Sequence, residues 1–439
     1  MITSEHLISK YAKVISSVTT FQTIGKITQV VGLVLESDGP QASLGEVCVL
    51  RSRNGTELGI SEVVGFRNNK ILSMILGDLS EISPGTEIVS TGYPLSVGVG
   101  YKLLGRVLDG LGNPIDGLPK PEVSEYRSVY AKPPNPMTRK RIEEPLQTGV
   151  RAIDGFLSIG KGQRMGIFAG SGVGKSTLMG MISRNTTADI SVICLVGERG
   201  REVKEFIENE LGPKGMERAI IIVATSDQPA LVRIKSALVA TTIAEFFRDE
   251  GFNVLLMMDS ITRLAMAQRE VGLTIGEPPA TKGYTPSVFS LLPKIMERAG
   301  TSDRGSITAL YTVLVEGDDF NEPIADAARG ILDGHIVLSR RLASQNHYPS
   351  IDILESVSRV MKDICEPEHL ANAQRAREAL SRFRESEDLI TIGAYQSGTN
   401  AKLDQSIQLN EKLKPFLLQG IDEQVPFSVS VEQLQQILG

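Results

Sequence analysis

The chain has no tryptophan, only 5% aromatic residues, and three cysteines among 439 residues. Cys48, Cys194 and Cys365 lie far apart, with no Cys-x-x-Cys pair and no neighbouring histidine pair. That spacing excludes a disulfide framework and a zinc site, and it leaves Cys48 and Cys194 as small core residues inside apolar runs. No apolar run approaches the length of a membrane span. The first residues include Glu5 and His6 and no continuous apolar stretch, so no signal peptide is expected and the cytoplasm is the expected compartment. A net charge of −6 gives no electrostatic footprint for nucleic acid. What is present is 41% hydrophobic and 22% charged, an ordinary globular balance. The length exceeds one ordinary core, so two or three domains are expected.

The pattern along the chain changes character twice. Leu7, Ile8, Tyr11, Val14, Ile15 and Val18 fall at helical spacing and predict an amphipathic helix over 4–18. It either packs on its own domain or docks a partner. Over 22–92, short β-branched runs recur between turn formers: Ile27–Leu35, Glu46–Ser52, Glu57–Phe66, Lys70–Leu76 and Glu87–Ser90. Closely spaced short strands predict a small β-barrel. Residues 93–140 connect, and Lys132-Pro133-Pro134-Asn135-Pro136 within them must be extended. From 141 to 365 strands alternate with helices, the pattern of an α/β parallel sheet covered on both faces. Strands are expected at Ser191–Val196, Ala219–Ala224, Asn253–Met258 and Ile307–Leu314, with helices at Val203–Leu211 and Arg233–Arg248. The last segment is helical and polar, with two helices near 367–387 and 402–417. The domains expected are 1–92, 93–365 and 366–439.

The most informative run is Ala169-Gly170-Ser171-Gly172-Val173-Gly174-Lys175-Ser176-Thr177. A strand at 164–168 precedes it and a helix from Leu178 follows, which is the P-loop context. The three glycines let the backbone curl and aim its N–H groups inward, and the helix N-terminus adds positive potential, so the loop cradles polyphosphate. Lys175 reaches the β/γ-phosphates and the Ser176 hydroxyl binds Mg²⁺. The first position of the strict pattern is Ala169 instead of glycine.

Val254-Leu255-Leu256-Met257-Met258-Asp259 is an apolar strand ending in a carboxylate, the Walker B arrangement, which places Asp259 beside the P-loop to hold the metal or its waters. Glu198, in Gly197-Glu198-Arg199-Gly200-Arg201-Glu202, follows another strand and can orient or deprotonate an attacking water. The same run also reads as a surface ion-pair cluster. Arg359, Tyr348 and Phe416 carry little by position alone. An arginine from a neighbouring subunit can neutralise transition-state charge, and an aromatic can stack on adenine or simply fill a core.

Assembled, these residues make the chain resemble the catalytic subunits of rotary ATP synthases, and more closely the flagellar type III protein export ATPases. The match rests on Pro349-Ser350-Ile351-Asp352-Ile353-Leu354-Glu355-Ser356-Val357-Ser358, which is similar to the rotary signature segment. It rests also on Gly276-Glu277-Pro278-Pro279-Ala280-Thr281-Lys282-Gly283-Tyr284, on Asp326–His335, and on Asp388–Tyr395. The resemblance implies that Glu198 is the catalytic glutamate with Arg199 supporting it, and that Arg359 is an arginine finger given to the adjacent subunit. It implies that Tyr348 stacks on adenine and that Phe416 is a second adenine contact. It further implies a RecA-like P-loop domain between an N-terminal β-barrel and a helical C-terminal domain. The implied function is Mg²⁺-dependent ATP hydrolysis energising export of flagellar proteins by a homo-hexamer. The implied partners are a regulatory or stator protein at the N-terminal helix, a central stalk protein, export gate membrane proteins, and export substrates with their chaperones. No nucleic acid and no integral membrane segment are expected, and the expected location is cytoplasmic, peripheral to the inner face of the cell membrane.

Two departures from synthase subunits stand out. The acidic Asp-Glu-Leu-Ser-Glu-Glu-Asp loop is missing and the chain is shorter. Both argue against a proton-driven synthase. The nearest alternative is an injectisome (virulence) secretion ATPase, and Val30–Pro40 looks more flagellar. A termination helicase would need aromatic-plus-basic interleaving in the barrel, which this barrel lacks. A non-catalytic scaffold is disfavoured because no catalytic position is missing.

Overall fold

The computed structural model describes residues 22–78, 81–315 and 319–439. The helix expected over 4–18 lies outside them. The chain forms two compact units. One ends at Leu95 and takes in Thr274–Gly276; the other comprises Ser96–Leu273 and Glu277–Gly439.

The first unit is a closed antiparallel barrel. Its strands run, around the wall, Ile24–Val31, Val34–Asp38, Lys70–Ile75, Glu57–Arg67, Glu46–Arg51 and Glu87–Pro94, and the last pairs with the first through Ile24 and Val89. Alternation along each strand sends Ile27, Leu35, Leu50, Val63 and Ile88 inward. Closure leaves no free edge. The run 27–35, expected as one strand, is a hairpin. Gly32 has φ of +58° and turns the chain back within two residues, which glycine does at no steric cost. Cys48 lies fully inside, and burial pushes its thiol up to about 12, so it acts as a small apolar residue.

The second unit is built on a sheet that has nine strands among the described residues. From one edge the order is Val357–Ser358, Gly334–Leu338, Arg164–Ala169, Ser306–Leu314, Asn253–Asp259, Ile190–Glu198, Ala219–Thr225 and Val107–Asp109. All pair in parallel except Val357–Ser358, and a short Gly300–Thr301 strand adds antiparallel to Ser306–Leu314. Ile190–Glu198 is buried at every position because helices cover both faces. The chain leaves Arg164–Ala169, crosses two strand positions, and enters the sheet again at Ile190. The carboxyl ends of Arg164–Ala169, Asn253–Asp259 and Ile190–Glu198 therefore meet at one edge of the sheet, where ligands bind in open α/β folds.

The four strands expected in this sheet at Ser191–Val196, Ala219–Ala224, Asn253–Met258 and Ile307–Leu314 are observed to within two residues. The helix expected over 203–211 is instead an α-turn, Gly200–Glu205, passing into a π-helical stretch, Phe206–Leu211. The polar C-terminal segment has helices Pro367–Thr391 and Ala401–Leu417, the second capped by the Asn400 side chain, and a third, Phe427–Leu438, that was not expected. Pro426 stands just ahead of the third helix, a start signal the sequence does contain. These helices pack on Arg151–Phe156: His369 Nε2 sits 2.8 Å from the Gly155 carbonyl, and Phe416 meets Phe156 edge to face at 6.1 Å. No helix among the described residues is long and apolar enough to cross a membrane.

Candidate active site

The P-loop joins the strand Arg164–Ala169 to the helix Lys175–Asn185. Gly172 and Gly174 have φ of +75° and +86°, a region that penalises any β-carbon. Gly170 does not need that freedom. The Ser350 hydroxyl donates to the Val173 carbonyl at 2.6 Å and braces the loop from the neighbouring segment. The loop opens onto a cavity of about 760 Å³, lined at one end by Gly170, Ser171, Gly172, Gly174, Lys175, Ser176 and Thr177. Ser176 is exposed to it, whereas the Val173 side chain is buried.

Beneath the loop, three charged groups converge. The Lys175 ammonium donates to Asp259 Oδ1 and stands 3.7 Å from Glu198 Oε1. The Thr312 hydroxyl donates to the same Asp259 oxygen at 2.6 Å, fixing the carboxylate at the end of its strand. Arg263, on the helix Ile261–Thr274, reaches Glu198 Oε2 at 3.2 Å and also donates to the Gly197 carbonyl. Glu198 is 6% exposed, and its Oε1 is buried with no hydrogen-bond partner. Burial first, then Glu202 and the charge of Asp259, pushes the Glu198 carboxyl up to about 7, against the pull of Lys175 and Arg263. A carboxylate held near neutrality, with one oxygen unspent and facing a phosphate-binding loop, is equipped to accept a proton from water.

The cavity also has apolar walls. Tyr348, 40% exposed, lies within about 3.5 Å of where a β-carbon on Gly174 would stand, and Pro349, Met181 and Ile421 also line the cavity. Arg199 lines the rim and pairs with Glu202 at 3.6 Å.

Two expected residues are not in this cavity. Phe416, expected as a second adenine contact, is 5% exposed and packs into the core against Phe156 and Gly155, outside the cavity lining; Gln419 and Ile421, a few residues on, line the cavity. Arg359 is exposed at the sheet edge, just after Val357–Ser358, and bonds through its N–H to the Asp333 carbonyl. Its hydrogen bonds go to the Leu332 and Asp333 carbonyls, and it is not among the residues lining the cavity. Arg263, Thr312, Gln419 and Ile421 were missed by sequence reasoning. Arg263 lies in the first turn of the helix that opens at Ile261, directly after the strand ending in Asp259, and that placement is the signal that could have found it.

Fold and site together define a P-loop enzyme that acts on a nucleoside triphosphate. Residues 149–358 match the ATP synthase alpha/beta family nucleotide-binding domain, 27–92 its beta-barrel domain, and 365–436 the T3SS EscN ATPase C-terminal domain. The chain is 53% identical to the flagellum-specific ATP synthase of Bacillus subtilis over 96% of both chains. It is 50% identical to the type 3 secretion system ATPase of Xanthomonas euvesicatoria, covering 94% of this chain and 93% of that one. The assembled ATPase EscN from the type III secretion system of enteropathogenic E. coli superposes with a TM-score of 0.90 at 44% identity, covering 94% of this chain and all of that one. The chain belongs to the ATP synthase alpha/beta family, in the branch of flagellum-specific and type III secretion ATPases, and is an ATP-hydrolysing enzyme.

Proposed function

We propose that this chain hydrolyses Mg²⁺–ATP to energise type III export of flagellar proteins, as a homo-hexamer at the cytoplasmic face of a membrane export gate. The observation that carries the hydrolytic part is the buried Glu198 oxygen, without a hydrogen-bond partner, that faces Lys175 beside Asp259 under the P-loop. Lys175 and the loop amides bind the phosphates, Glu198 orients water and takes its proton, and Arg199 supports Glu198 from the rim. Tyr348 stacks on the base. Ser176 and Asp259 offer hard oxygen donors with no competing thiol or imidazole, which suits Mg²⁺ held by one or two protein ligands and substrate phosphates. When bound, that ion neutralises charge building on the transferred phosphate. Arg359 serves the site of the adjacent subunit, a role consistent with its exposure away from its own P-loop.

The ring is supported by the assembled state named for EscN, and a stalk partner by a second structure, EscN in complex with its central stalk EscO, with a TM-score of 0.88. The flagellar assignment is supported by the Bacillus subtilis relative and by a flagellum-specific ATP synthase of Salmonella typhimurium at 51% identity. The export gate, substrates and chaperones, and a regulatory partner at the N-terminal segment, follow from the same reading. So does a location in the cytoplasm at the inner face of the membrane. The chain is further read as three working segments, 1–92, 93–365 and 366–439, a division supported by the separate family matches. The test is Glu198→Gln: it should retain ATP binding and lose turnover by about 10²–10⁴-fold. Wild-type turnover in that variant would sink the assignment.

A further inference from the structure

The segment that brings Ile421 to the cavity is held by contacts from outside it as well as within it. Gln419 and Ile421 enter the cavity from the segment that follows the helix Ala401–Leu417, and a buried arginine makes several of the bonds that hold that segment. Arg151, 8% exposed, spends its whole guanidinium there. Nε donates to the Phe416 carbonyl at 2.9 Å and Nη2 to the Leu418 carbonyl at 2.5 Å, while Nη1 and Nη2 both engage the Glu423 carboxylate. The Arg151 backbone N–H donates to Gln419 Oε1 at 2.8 Å, so side chain and backbone grip the same loop.

Gln419 passes the grip on to the nucleotide site. Its backbone N–H donates to the Tyr348 carbonyl at 3.0 Å, which ties the loop to the aromatic residue at the base end. Its side-chain amide donates to the carbonyls of Gly149 at 2.7 Å and Glu423 at 3.0 Å. With Arg151 on its oxygen, that amide is committed to the protein on both ends. It is a tie, and it has no donor left to read the edge of a base. Ile421 is held from the other side by Arg184, which donates to its carbonyl at 2.9 Å.

We infer that Arg151 is a positioning residue for the base end of the nucleotide site: it fixes the 416–423 segment so that Ile421 and Tyr348 form a preset slot for the nucleoside base. This rests on the reading of the cavity as an ATP site. A preset slot binds more tightly than one that must be ordered on binding. The guanidinium fork is the part a lysine cannot copy, since an ammonium is a point donor without fixed geometry.

The test compares ATP with inorganic tripolyphosphate, which fits the P-loop end and has no base. Both are measured on the full chain as competitors of a fluorescent nucleotide. Arg151→Lys should weaken ATP roughly tenfold, with kcat little changed, because uniform binding and not transition-state binding is lost. Tripolyphosphate should be held as before. Glu423→Gln, which removes the carboxylate charge and keeps its shape, should move ATP in the same direction by less, and it carries the test if Arg151→Lys does not fold. Equal weakening of both ligands, or no change in either, would overturn the inference. A wild-type chain that binds tripolyphosphate and ATP equally would instead overturn the base-end reading of the cavity.

Discussion

Arg263 holds Glu198. Its guanidinium is 3.2 Å from one carboxylate oxygen, while the other oxygen is buried without a hydrogen-bond partner and looks toward Lys175. One oxygen is fixed and the other is spare, which is how a base keeps its aim and its capacity together.

The first prediction concerns pH. Glu198 is active as a carboxylate and its carboxyl sits at about 7, so hydrolysis should fall as pH drops through about 7. Arg263→Met removes a cation that favours the charged form, so the acid limb should move to higher pH. A pH–rate profile reads this directly; an unmoved limb would exclude Arg263 from the role. The stability sign is the reverse. A carboxyl raised from 4.5 to about 7 on folding contributes stability below 4.5 and loses it as pH rises through 7.

Lys175→Ala should lower hydrolysis by about 10²–10³-fold or more while the chain stays folded. It also removes from Glu198 a cation that favours its charged form, so Glu198 should protonate more readily. Rates and circular dichroism on one preparation check both halves.

Gly334→Ala should act at a distance. A β-carbon there would stand 2.5 Å from the Val357 carbonyl oxygen and 2.7 Å from Met165 Sδ. The edge strand Val357–Ser358, which carries Arg359, must shift. The expected cost is about 1–3 kcal/mol of stability, with turnover reduced and nucleotide affinity kept. Thermal unfolding and a binding isotherm separate the two effects.

Arg298 and Glu245 form a buried pair remote from the site. Arg298, 1% exposed, donates to both Glu245 oxygens, at 2.8 and 2.5 Å, and also to the Val129 carbonyl and Thr242. Arg298→Met alone should cost about 3–5 kcal/mol by stranding a buried carboxylate. Adding Glu245→Leu should restore most of it. A double variant no better than the single would mean that the lost bonds to Val129 and Thr242 dominate.

Much of the site was legible because it is local. The P-loop, Asp259 and Glu198 each end or follow a strand, so a short window of sequence carries both the motif and its context. What escaped is made by distant parts of the chain. Ile421 and Gln419 reach the cavity only because the last helices pack on Arg151–Phe156, and no local period reveals that. The place of Phe416 was hidden for the same reason: spacing puts it on a helix, and packing alone decides that its ring faces Phe156. Gly32 hid a hairpin inside a continuous β-branched run, because a two-residue turn barely interrupts the pattern.

The central claim is that each active site is completed by a second copy through Arg359. Specific ATPase activity should be measured against protein concentration, with sizing at each point, for wild type and for mixtures with Arg359→Ala. The account predicts activity that rises steeply with hexamer formation, and mixtures poisoned beyond simple dilution. A flat specific activity from a monomer, with a purely additive loss in the mixtures, would contradict it.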